Sequence, residues 1–422
     1  MKFKSFIFSF LMMISLSNLA QADYQKNLDR ILKSSQSNSA KLDALFKVNW
    51  DYTMKTYPEW ATYLGYPGQN HRWTDASDKA WKVYQSDAKA TLKAIQSISK
   101  KGLSAEQVLS YELFLKEAQR TVEGFKYPSE LLPIHQMGGI HIDIPDLLWN
   151  APKNSLKDYQ DMIQRLKTSP VVISQVQALL EKGLSQGIVP PKIVLKSVPQ
   201  LMDTILTEKI TESSLYAPFQ EIKGVFSDAE KKQIQDEALS AIQNHTYPAL
   251  KSLREYLVKT YIPQSRDSVG FSDLKNGSNW YNYKIKGHTT VNLTADQIHE
   301  LGLSEVKRIE TEMIKIKDEM KFKGELKAFN QFLKTDKQFF FDNPKDLMTA
   351  YRDIAKRVDP EIPKLFGKLP RLTYGVREMP SYKAPSAPTA YYQGGSLSAG
   401  RAGSFEANTY DLKARPKWQM EA

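Results

Sequence analysis

His299-Glu300 is the pair in this sequence whose types and order match a zinc-peptidase helix. In His-Glu-x-x-His, two imidazoles on one helical face hold the metal while the Glu takes a proton from the bound water. The second His would stand at 303, where the residue is Leu303, and Gly302 beside it is no ligand. His299 therefore reads as a packing or hydrogen-bonding residue. His135 and His141 flank Gly138-Gly139, with Asp143 following. At that separation the two imidazoles share a face only in extended chain, and the glycines favour a loop wall over a ligand set. The run GGSLSAG at 394–400 resembles a nucleophile elbow, but Ser396 stands where the Gly before Ser398 is required, so a flexible loop is the better reading. The chain has no cysteine, which excludes disulfides and thiolate chemistry. Its 47 acidic residues give no cue to which carboxylates converge.

The elements that would position such groups are mostly helical. From Leu42 to Lys259 apolar residues recur at helical spacing, broken by short Gly and Pro punctuation. Pro58 opens a helix that Gly65 closes. Ser155 with Asp158 and Ser227 with Glu230 form capping boxes, and Leu156, Tyr159, Ile163 and Leu166 line one face. Val189-Pro190-Pro191 predicts a turn between two helices. Between Val269 and Val291 the aromatic and β-branched residues Trp280, Tyr281, Tyr283, Ile285 and Val291 predict extended structure. Thr294 with Gln297 starts the clearest helix, striped by Ile298, Leu301, Val306, Ile309, Met313 and Ile316. A further helix is expected over 344–358, and extended segments over 372–376 and 403–412. The predicted class is mainly α, a large bundle-like body with a small β element near the C-terminal end. No fixed-period repeat is present.

Residues 1–22 read as a secretory signal, with Lys2 and Lys4, an apolar run from Phe6 to Leu16, and Ala20-Gln21-Ala22 as the cleavage site. Cleavage near Ala22 places the mature chain, 23–422, in the periplasm or outside the cell. Losing Lys2 and Lys4 takes two charges from the formal +11, leaving +9. The remaining Lys and Arg are dispersed among acids, which argues against nucleic-acid binding. No later segment approaches the roughly 20 apolar residues of a membrane span, so no stable membrane insertion is expected. The final RPKWQMEA has Pro416 where a first helical turn tolerates it.

Six stretches, taken in order, carry a resemblance: YPEWATYLG (57–65), GIVPPK (187–192), LTADQIHELGLSEVKRIETEM (293–313), LFGKLPRLTYGVREMP (365–380), AYYQGGS (390–396) and GSFEANTYDLKARPKWQMEA (403–422). Together they resemble the bacterial proteins of domain of unknown function family 885, whose full-length members look like helical zinc metallopeptidases. In that family the stretch like RPKWQMEA runs into a helix carrying His-Glu-x-x-Pro-Gly-His-His. The resemblance therefore implies that 23–422 is a single, incomplete family domain, truncated before the zinc helix and inactive alone as a hydrolase. Zinc belongs to the full-length relatives, and no metal ligand or cofactor is expected in this chain. The resemblance further implies that 403–412 is an edge strand against which an extended peptide lies, with Tyr391, Tyr392, Arg401, Asn408 and Tyr410 as its wall. His299, Glu300, Glu305 and Arg308 match the family's helix and are expected to brace the site as a buried polar network. Relatives tend to have Pro where Gly394 and Ala402 stand, which puts the loop before the strand in doubt. Two alternatives stand beside this reading: a non-catalytic periplasmic peptide-binding or scaffold protein, and complementation by a separately encoded C-terminal fragment.

Overall fold

Side-chain caps start the long helices. Ser77, Ser104, Ser155, Ser227 and Thr294 have extended backbone and accept an N–H from the first turn that follows. In the computed structural model, which describes residues 23–222 and 224–420, the expected class is observed: helices dominate and one small sheet lies near the C-terminal end. The signal-like residues 1–22 lie outside the described residues. After a helical stretch at 23–33 come α1 (Asn38–Thr56), α2 (Pro58–Leu64), α3 (Asp78–Ser97), α4 (Ala105–Gly124) and α5 (Ile140–Asn150). The long α6 (Leu156–Gln186), α7 (Asp228–Ala241) and α8 (Tyr247–Tyr256) follow, then α9 (Gly277–Thr289), α10 (Ala295–Glu319), α11 (Leu326–Thr335) and α12 (Pro344–Val358).

The main core forms around α6. Its buried stripe Tyr159, Leu166, Ile173 and Leu180 meets Ala238 of α7, Leu250 and Leu253 of α8, and Ile144 and Leu148 of α5. Gly187, with φ of 68°, ends α6 by donating to the Gly183 and Leu184 carbonyls, after which the predicted Pro190-Pro191 turn runs. A second core joins Leu42 and Leu45 of α1, Ala94 and Ile95 of α3, and Tyr111 of α4 to Tyr24 and Leu28.

Two local expectations are corrected. The segment expected to be extended from Val269 to Val291 contains helix α9. Asn276, in the left-handed region at φ 58°, turns the chain into it. One helical turn then sets Trp280 and Tyr283 on a common face against Tyr127. Tertiary packing of those rings outweighs their β propensity. His141, expected on a loop wall, lies in the first turn of α5 and is fully buried, because Gly139 at φ 127° ends the loop just before it.

The sheet comprises β1 (Tyr374–Glu378), β2 (Ala390–Gln393) and β3 (Gly403–Ala407) in the order β1-β3-β2. β3 runs parallel to β1 and antiparallel to β2. The strand expected at an edge is thus the central one, and its main-chain groups are taken up on both sides. Its alternation explains the placement: Phe405 and Ala407 pack with Val376 against Leu347, Met348 and Tyr351 of α12, while Ser404 and Glu406 point to the opposite face. The last described residues form a short 3-10 turn, Lys417–Gln419, behind Pro416.

Candidate peptide-binding site

The polar face of the sheet is a row set by strand register. Arg377 of β1 and Tyr391 of β2 both lie opposite Glu406 of β3. Glu406 is 1% exposed. Its carboxylate accepts from Arg377 Nε at 2.9 Å and from Arg377 Nη2, from the Tyr391 hydroxyl at 2.7 Å, and from Ser404 Oγ at 3.4 Å. A carboxylate removed from water needs such a shell of donors.

Helix α5 closes the row. Lys383, buried between the two elements, donates to Asp146 Oδ1 at 2.9 Å and lies 3.8 Å from Glu406 Oε2, so one ammonium bridges two carboxylates. Its Nζ also sits 5.1 Å from the centroid of the Tyr391 ring. The Tyr382 hydroxyl donates to Asp146. One turn on, Asn150 Oδ1 accepts from Arg401 Nη1 at 3.3 Å and from Arg377 Nη2 at 3.5 Å. Arg401 reaches on to α2, donating to the Tyr63 carbonyl at 2.7 Å and to the Gly394 carbonyl at 3.3 Å. Its Nε is buried without a partner.

Burial, and then the adjoining carboxylates, push the Tyr382 and Tyr391 hydroxyls well above the ordinary phenol range. Burial first, and then the neighbouring Arg377, lower the Arg401 guanidinium. The phenols stay protonated as fixed donors. The cluster can therefore hold and orient, with its carboxylates already committed to partners.

The sequence-named residues divide. Tyr391 and Arg401 belong to this network. Asn408 is fully buried and donates to the carbonyls of Ala384, Ala387 and Pro388 at 2.8, 3.2 and 3.1 Å, so it ties down the loop before β2. Tyr392, 61% exposed, points to the other face of the sheet, and Tyr410, 66% exposed, lies beyond β3. His299, Glu300, Glu305 and Arg308 do not form the expected buried network: all are exposed on α10, where Arg308 Nε pairs with Glu305 at 2.9 Å along the helix. No residue of α10 is buried, and Leu301, Val306, Ile309 and Ile316 of its apolar stripe stay exposed.

Asp146, Asn150, Arg377, Tyr382, Lys383 and Glu406 were not singled out from the sequence. One signal was there: a lone Glu within GSFEA, a strand otherwise of small and apolar residues, has to find cations. Nothing local marks Lys383 or Asn150.

A family model described as a bacterial protein of unknown function (DUF885) matches residues 58–422. Among curated proteins none matches. A solved structure from Colwellia psychrerythraea, provisionally termed a lipoprotein, superimposes with a TM-score of 0.82 at 18% identity, covering 92% of this chain and 70% of that one. One from Shewanella oneidensis, provisionally termed a lipoprotein of unknown function, gives a TM-score of 0.55 at 16% identity, covering 90% and 68%. At these identities the likeness is one of fold.

Proposed function

The chain belongs to the DUF885 family of bacterial proteins of unknown function, and from that premise we propose that it is a secreted or periplasmic peptide-handling protein of the zinc-metallopeptidase type, without hydrolase activity by itself. The observation that carries the binding part is β2, an edge strand of the sheet whose partner β3 is fully paired. A strand edge leaves main-chain N–H and C=O groups for an added extended chain, while side chains on either face choose it. Tyr392 stands exposed on one face of that edge, and Tyr391, held by Glu406, stiffens the other. Arg401 links the loop after β2 to α2 and α5 and so fixes the end of that strand.

Zinc, when bound in full-length relatives of the resemblance, supplies Lewis-acid polarisation and an activated water. The residues here do not fit that ion: among the described residues no three His, Cys, Asp or Glu side chains converge as a ligand set. The sequence holds six His, and none opens a His-Glu-x-x-Pro-Gly-His-His run.

The test uses residues 23–422 with a labelled extended peptide, its backbone N-methylated counterpart, and a fluorogenic version with and without zinc. Binding of the first, loss of binding on N-methylation and no cleavage support the reading. Zinc-stimulated cleavage by the chain alone, or equal binding of the N-methylated peptide, overturns it.

A further inference from the structure

Away from the sheet, α3, α4 and α9 enclose a cavity of about 320 Å³. Tyr57, Trp81, Tyr84 and Phe125 form one wall as a contiguous set of stacked and edge-on rings, and Trp280 and Tyr283 of α9 line it as well. Small residues set the spacing. The Tyr283 hydroxyl donates to the Arg120 carbonyl at 2.9 Å and presses on Gly124, where any Cβ would collide with it, so this contact ties α9 to α4.

We propose that this cavity binds a small ligand joining one flat ring to a carboxylate, the chemical class of an N-acylated aromatic amino acid. The volume is at the low end for ligand sites, enough for a ring and a short polar arm. Aromatic walls favour a ring through stacked and edge-on contacts. Such walls also attract cations, and over Trp280 that place is taken by Lys284, whose Nζ lies 6.0 Å from its centroid and 5.6 Å from that of neighbouring Phe271. Among the described residues no Asp or Glu lines the cavity. Arg120 also lines it, its Nε and Nη2 engaged by Glu117 at 2.9 and 2.7 Å and its Nη1 on the side of Gly287. An incoming cation meets Lys284 and Arg120, whereas a carboxylate gains a charge-assisted partner. None of the sheet-site residues contributes, so this inference stands apart from the peptide edge.

The experiment titrates residues 23–422 with N-acetyl-L-phenylalanine, its neutral amide and N-acetylglycine, by calorimetry and ligand-observed NMR. The acid should bind, the amide about tenfold more weakly, and N-acetylglycine not at all. Lys284→Gln, at a partly exposed position, should erase the preference for acid over amide. Gly287→Leu adds a side chain at the cavity wall, where the Cβ itself meets Arg120 at 3.6 Å and nothing nearer, and should abolish binding with the circular dichroism spectrum unchanged. Equal affinity for acid and amide, undiminished binding by folded Gly287→Leu, or no binding by the folded wild type each overturns the proposal.

Discussion

Replacing Asn408 separates a strut from a ligand group. Its amide nitrogen serves three carbonyls, those of Ala384, Ala387 and Pro388, and its Oδ1 accepts from the Tyr410 N–H at 3.0 Å. With two amide hydrogens shared among three carbonyls and one bond accepted, at about 1 kcal/mol net each, Asn408→Ala should cost about 2–3 kcal/mol, the Ala384 carbonyl being left buried while Pro388 is exposed. Asn408→Asp is nearly isosteric, keeps the bond from Tyr410, and turns a donor into a carboxylate facing three carbonyl oxygens. Its folded pKa must rise above the unfolded value of about 3.9. The variant is therefore least impaired below pH 4 and loses stability as pH climbs from there toward the folded pKa. Urea unfolding at pH 4 and pH 7, set beside peptide anisotropy, reads both consequences. Wild-type stability in Asn408→Ala together with weakened peptide binding would refute the strut assignment.

Three further outcomes are expected. His141 has both ring nitrogens buried without partners, and burial, then His135, hold its pKa down at about 4. The unfolded chain takes up the proton first, so stability is full above pH 6.5 and falls by about 3 kcal/mol as pH drops to 4; His141→Leu should flatten that stretch of a urea-midpoint profile against pH. Glu406→Gln leaves Arg377 without its charge partner, and Lys383 with Asp146 alone, and should lower stability by about 2–3 kcal/mol, less than a fully buried pair because the Arg377 side chain is 36% exposed; urea unfolding checks it. Ile309 and Ile316 are 47% and 50% exposed on α10, so changing both to Lys should leave the unfolding free energy within about 0.5 kcal/mol, read by urea unfolding.

Helical starts were legible because a cap is local: Ser155 with Asp158 and Thr294 with Gln297 needed nothing beyond the following turn. The strand at 403–407 was legible for the same reason, its position within the sheet was not. Whether β3 is central or an edge depends on where β1 and β2 arrive, which is a matter of register between distant segments. Segment 277–289 failed as a strand because Trp280 and Tyr283 answer to Tyr127, far away in sequence. The site divided likewise. Tyr391 and Arg401 came through the resemblance, whereas Asp146 and Asn150 join only when α5 meets the sheet.

The tie between the loop after β2 and the end of α2 also sets a clock. Ser396 Oγ donates to the Leu64 carbonyl at 2.6 Å and Arg401 to that of Tyr63, while the backbone of Ser398 and Ala399 lies against Gly65, where any side chain would block it. The partners of the Arg401 bond are 338 residues apart. At about 5–20 residues per second, that interval takes the ribosome about 17–70 s. The notch at Tyr63–Gly65 is made early and stays open until nearly the whole described chain exists. A chain interrupted before Ser396 lacks both donors, so the Tyr63 and Leu64 carbonyls stay with water and the end of α2 is held only by its own helix.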